Sequence, residues 1–153
     1  MPTATQRMEP IRLNYAEKDR QVVLLPRDED RYVLTVEEAI AACRAGKEQE
    51  RFRSQFKGLL NRLGQWVTDH ESKIHKAYVT IRNEGILFLV VRRSTQYDGE
   101  FSDRLSDLDI EVANEDSLNL VQLNVLALPN VTIEACTSFL NPELVFEYTR
   151  KNA

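Results

Sequence analysis

A chain of 153 residues that is 42% hydrophobic and 29% charged can bury one ordinary core and has a globular composition, which sets aside fibrous and disordered classes. Its longest wholly apolar run, Ile86 to Val91, is far short of the roughly 18 residues of a membrane span, and residues 1–10 lack the apolar core of a signal peptide, so a cytoplasmic protein is expected. The formal net charge of −4 is uneven: residues 1–93 carry 17 Lys/Arg against 13 Asp/Glu, residues 94–153 carry 3 against 11, and this overall acidity argues against nucleic acid as a partner.

Residues 1–10 read as a disordered arm, with Pro2, Thr3, Thr5, Gln6 and Pro10 and few large apolar groups. Residues 11–150 read as a single domain. Ile11, Leu13 and Tyr15 alternate with polar residues, as in a short strand. Gln21–Leu25 is a second strand stopped by Pro26, and Arg31–Leu34 is expected to pair back on it as a hairpin across Arg27–Asp30. Thr35 followed by Glu38 has the spacing of a capping box, Val36, Ala39, Ile40 and Cys43 share one helical face, and Gly46 suits a helix end, so a short helix is expected over 36–45.

The most regular stretch follows, Lys47 to His70. At about 100° per residue, Phe52, Phe56, Leu59, Leu60, Leu63, Trp66, Val67 and His70 fall in one sector about 120° wide. The opposite side carries Glu50, Arg53, Ser54, Lys57 and Asn61. A helix with so wide an apolar stripe must be covered, and the apolar β region after it is the natural cover. Ala77, Val79 and Ile81 alternate in a half-buried strand. After an Asn83–Glu84–Gly85 turn, with glycine where a positive φ is expected, Ile86–Val91 is apolar on both faces, as a central strand covered on both sides would be. The long helix covers one face, and residues 94–153 are expected to supply the second layer.

Residues 101–113 admit two readings. As a helix, Phe101, Leu105, Leu108 and Val112 share a stripe and Ile110 is stranded outside it, with Ser102 as N-cap and Asn114 as C-cap. As a strand, Leu108, Ile110 and Val112 face inward. The helix accounts for more large apolar residues and is the reading adopted. Leu118–Leu128 is a long strand stopped by Pro129, with Val121, Leu123, Val125 and Ala127 on one face. Thr132–Leu140 is a short helix with Ile133, Cys136, Phe139 and Leu140 inward, and Leu144–Tyr148 is the last strand. The fold class is α+β: one mixed sheet, with C-terminal order β-β-α-β-α-β, packed against a long amphipathic helix, plus an N-terminal hairpin and a short helix.

The residues that could carry chemistry are few. Cys43 and Cys136 lie among apolar neighbours and read as reduced and buried. His70 falls within the apolar stripe and reads as a core or boundary residue; His75, five residues on, has no cysteine near it in sequence with which to hold zinc. Neither a phosphate-binding glycine loop nor a nucleophile motif is present. Lys47, Arg51, Arg53, Lys57 and Arg62 give the long helix some basic character without forming a single stripe, and Arg92–Arg93 stand at the end of a strand where an anion or a carboxylate could meet them.

The one catalytic alternative lies in Ser106–Asp107–Leu108–Asp109–Ile110–Glu111. On a strand, Asp107 and Asp109 would point the same way and could share a hard cation such as Mg²⁺. The stretch resembles the Asp–hydrophobic–Asp element of minimal nucleotidyltransferases, in which those acids hold metals and a preceding Gly–Ser pair grips phosphate. That resemblance implies a Mg-dependent nucleotidyl or phosphoryl transferase; here Gly99–Glu100 occupies the Gly–Ser position, with a carboxylate that repels phosphate. On a helix the two acids would diverge by roughly 200°. The leading expectation is a non-catalytic interaction or assembly domain without cofactor or metal. It would act on a protein partner or by self-association, through an edge among Leu118–Leu128 and Leu144–Tyr148 or through the long helix.

Overall fold

A computed structural model describes residues 10–15, 22–42, 49–82 and 85–150. The expected Cys43 packing and Gly46 cap, most of the N-terminal arm and the Asn83–Glu84 part of the turn lie outside these residues. The architecture is the α+β class read from the sequence: one six-stranded mixed sheet with helices. The strands are β1 (Ile11–Tyr15), β2 (Val23–Leu24), β3 (Ile74–Arg82), β4 (Gly85–Arg92), β5 (Leu123–Leu128) and β6 (Val145–Arg150), in the order β2-β1-β6-β3-β4-β5. The β1–β6 and β4–β5 pairs are parallel and the others antiparallel.

Helix α1 (Glu29–Ala42) begins well before the expected Thr35 cap. Arg31–Leu34 therefore belongs to a helix, and the partner of Val23–Leu24 is β1. The reason is a stripe that starts four residues earlier. Tyr32, Val36, Ala39 and Ile40 follow helical spacing into the core, and Tyr32 sets its ring edge-on to Phe146 at 6.1 Å. Val33 and Leu34, which suggested a strand, are left facing solvent. Pro26 opens the preceding 3-10 turn, where its fixed φ and missing N–H cost nothing.

Helix α2 (Gln49–Asp69) buries the expected stripe. Phe52, Phe56, Leu59, Leu60, Leu63, Trp66 and Val67 are all buried against the sheet, each large side chain contributing about 1.5–3 kcal/mol. Trp66 meets Phe88 and Phe101 edge-on at 5.9 and 5.5 Å, and the Tyr148 hydroxyl donates to the Leu60 carbonyl. The flanks of α2 also take hold of backbone. Asn61 Oδ1 accepts from the Val22 amide (2.8 Å), just before β2, and Gln55 Oε1 accepts from the Leu120 amide (2.7 Å), just before β5.

That second contact explains why the expected strand 118–128 is shorter. Asp116–Leu118 forms a 3-10 turn, and Gln55, which also donates to Asn119 Oδ1 (2.8 Å), holds the chain off the sheet until Leu123. Gly85 opens β4 opposite Arg82 and does not need the positive φ expected of it. β4 is central and buried on both faces, as its pattern required.

Helix α3 (Gly99–Ala113) settles the ambiguous stretch. Phe101, Leu105, Leu108 and Val112 are buried, and Ile110 stays outside. Its N-cap is Asp98, whose carboxylate accepts from the Phe101 amide (3.0 Å), in place of the expected Ser102, and Asn114 is the C-cap. α3 lies on the same face as α2 and packs on β5, so the C-terminal region does not form a second layer as a whole. Among the described residues, the other face is covered by residues 131–140: α4 (Ile133–Cys136), the 3-10 turn after it, and Leu140 over Tyr78, Leu89, Val91 and Val145. Cys136 and Leu140 point inward there, and Ile133 does not.

Two glycines inside α2 differ in surroundings. A Cβ on Gly64 would meet Val22 Cγ1 at 3.0 Å and the buried Tyr148 ring at 3.2 Å, whereas one on Gly58 would meet only Leu118 Cδ2 at 3.9 Å. Gly58→Ala should stabilise by about 0.5–1 kcal/mol through helix propensity. Gly64→Ala should instead destabilise by about 1 kcal/mol, because crowding the Tyr148 ring outweighs the same gain. Gln55→Ala should cost about 1–3 kcal/mol by orphaning the Leu120 amide. Urea unfolding of the three variants checks the signs and the order.

Candidate functional site

Asp107 and Asp109 sit on α3, two residues apart and therefore about 200° around the helix from one another. Asp107 is exposed and Asp109 half-buried on the other flank. Glu111 of the same stretch pairs across to Arg62 of α2 at 2.7 Å. The strand geometry on which the metal-binding alternative depended is absent. At the Gly99–Glu100 position the α3 N-terminus is already occupied by Asp98, which Lys73 also contacts at 3.2 Å. The Phe101 amide first, and then Lys73, hold the Asp98 carboxyl below its usual range. Among the described residues, no three His, Cys, Asp or Glu side chains are placed to hold a metal ion.

His70 is half-buried at the end of α2, stacked on Trp66 with ring centroids 4.1 Å apart and its Nδ1 2.8 Å from the Trp66 carbonyl; His75 is exposed on β3. Arg92 is buried and donates to the Gln96 carbonyl in the loop after β4, and Arg93 donates to the Glu71 carbonyl in the turn before β3, so both tie backbone segments in place. Arg53 bridges Glu37 and Glu50, which joins α1 to α2.

On the second sheet face, Glu147 is buried and Lys76 Nζ lies 3.2 Å from its Oε2. Burial, and then the Glu147 and Cys136 charges, push the Tyr78 phenol far above its ordinary value; burial alone pushes up the Cys136 thiol. Both groups are held in their neutral forms, the reverse of what activates a nucleophile. A cleft of about 490 Å³ opens where β4 and β5 begin, lined by Arg82, Ile86, Gln122, Leu123 and Asn124. Arg82 donates to the Ser138 carbonyl (3.0 Å), and the other polar groups at the cleft are amides, which supply no acid–base pair.

The feature that stands apart is β5 itself. The sheet has two edge strands. β2 is two residues long and is followed by Pro26, a blunt edge. β5 is six residues long, Leu-Asn-Val-Leu-Ala-Leu, without charge, proline or glycine. Ile86 lies opposite Leu123 and donates to the Gln122 carbonyl at 2.9 Å. In a parallel ladder this turns the backbone groups of Asn124, Leu126 and Leu128 toward β4, and those of Leu123, Val125 and Ala127 outward. Among the described residues, no strand pairs with that outer side. Five of the six side chains are only half-buried, on both faces. In sequence this strand and Leu144–Tyr148 are equally candidate edges, but the latter forms part of β6, which lies inside the sheet between β1 and β3. The want of charge before Pro129 was the one local signal that separated them. Compared with models of protein families, with curated proteins and with solved structures, the chain matches none.

Tyr32, Tyr78 and Tyr148 all have phenols pushed up by burial. A free tyrosine titrates near 10. Below that pH the unfolded and folded chains hold the same phenolic protons, and above it the unfolded chain loses protons that the folded chain keeps. Stability should therefore fall as pH rises past about 10. In a spectrophotometric titration these three should ionise only as the fold opens; their ionisation near 10 in the folded protein would show the packing to be wrong.

Proposed function

We propose that this chain is a non-catalytic interaction or assembly domain that acts by accepting a further strand on the outer side of β5. The observation that carries this reading is the six-residue, uncharged edge whose outward amides and carbonyls at Leu123, Val125 and Ala127 have no strand partner among the described residues. Edge strands of soluble proteins are ordinarily shortened, charged, bulged or covered, and β2 follows that rule. An uncharged edge of this length suits strand addition, where main-chain hydrogen bonds supply affinity and alternate side chains select the partner. The divergence of Asp107 and Asp109 on α3, and the neutral Tyr78 and Cys136, favour this over a transferase. The reading takes the protein as cytoplasmic, in keeping with a free, buried Cys136 thiol and with no described helix long and apolar enough to cross a membrane.

The test is photo-crosslinking in the cells that make the protein, from a benzoylphenylalanine placed at Asn124, which is exposed beside the edge. A discrete protein adduct is expected, and Val125→Pro, which removes an outward N–H while leaving the donors to β4 intact, should suppress it. No adduct from a folded chain, or one indifferent to Val125→Pro, would defeat the reading.

A further inference from the structure

We infer that the strand accepted by β5 is the β5 of a second copy, running antiparallel about a two-fold axis at Val125. This rests on the reading of β5 as an open edge and names its partner.

The backbone geometry is self-complementary. With Val125 opposite its own counterpart, Leu123 falls opposite Ala127. These are the residues whose N–H and C=O groups point outward. Each forms a hydrogen-bonded pair, and each such pair exchanges two bonds. The next outward position is Pro129, which has no N–H to offer, so the ladder closes symmetrically at both ends. A closed two-fold arrangement uses the edge once and leaves no further strand to add, which prevents growth into a fibre.

Charge points the same way. The chain carries a net −4, so two copies should repel unless they meet where the acids are absent. β5 has none. The helix above it, α3, turns Glu111 toward α2, where Arg62 holds it. Helical spacing sets Glu100 and Asp107 on that same side, within about 40° of Glu111, and Asp103 about 80° from it, on the outer face. The flank of α3 away from α2, on the side of the open edge, carries Ser102, Ser106, Ala113 and a single acid, Asp109. Small side chains there let the partner's α3 approach to the roughly 8–10 Å of packed helices. The half-buried Leu126 and Leu128 on the opposite sheet face would gain cover from the partner's β5.

The test combines sedimentation equilibrium with amide hydrogen exchange on the full chain across a dilution series. The wild type should sediment at twice the 17.7 kDa of one chain, with the Leu123, Val125 and Ala127 amides exchanging more slowly as concentration rises. Val125→Thr, which keeps the β-branched shape and the amide, should dimerise like the wild type. Val125→Pro should weaken dimerisation about 100-fold through the lost central bonds. A monomer with fast exchange at those three amides overturns the self-pairing and leaves the edge open to a foreign strand. A monomer in which they exchange slowly at every dilution overturns both, because the edge is then covered within the chain. A dimer insensitive to Val125→Pro also overturns the inference, since association would use another surface. The wild-type exchange data decide the matter even if Val125→Pro fails to fold.

Discussion

Everything in this molecule depends on covering the apolar stripe of α2. A helix with Phe52, Phe56, Leu59, Leu60, Leu63, Trp66 and Val67 along one side cannot remain in water, and the sheet face formed by β6, β3 and β4 cannot either. Their union brings Phe56 onto Phe146 and Trp66 onto Phe88. It also brings the Tyr148 hydroxyl to a carbonyl of α2 itself, so that the one polar atom of that buried ring is satisfied. The same helix reaches both ends of the sheet. Asn61 holds the amide before β2 and Gln55 the amide before β5, which sets where each edge strand begins.

The two edges are then unequal, and the proposed function lies in that inequality. β2 is cut to two residues by Pro26. β5 runs for six residues beside α3 and stops only at Pro129. Of the acids around α3, Glu111 is engaged with Arg62 and Asp98 with Lys73, and Asp109 alone stands on the flank of the helix toward the edge. Exposed main-chain donors and acceptors in a setting without charge are the ordinary means by which one sheet continues into another.

Titratable groups fit a structural role. Asp98 caps α3, Arg92 ties down the loop after β4, and Glu147 and Lys76 satisfy one another on the less covered face. Where burial shifts a phenol or a thiol, as at Tyr78, Tyr148 and Cys136, it holds the group neutral. That strengthens packing and weakens reactivity.

What the sequence determined by itself was everything governed by local periodicity. The stripes of α2 and α3, the two-faced burial of β4, the α+β class and the C-terminal element order all follow from spacings within a dozen or so residues. Where two local signals competed, as at Arg31–Leu34, the earlier start of the Tyr32 stripe prevailed because Tyr32 could reach Phe146, more than a hundred residues away. The tertiary structure alone decided which strands are neighbours, that α3 joins α2 on one face, that Gln55 delays β5, and that β5 rather than β6 lies at the edge of the described sheet. The physical reason is that side-chain alternation reports which face of a strand is buried and is silent about what lies beside its backbone. Every residue carries the same N–H and C=O, so an edge is a property of the assembled sheet and is written in no single stretch of the chain.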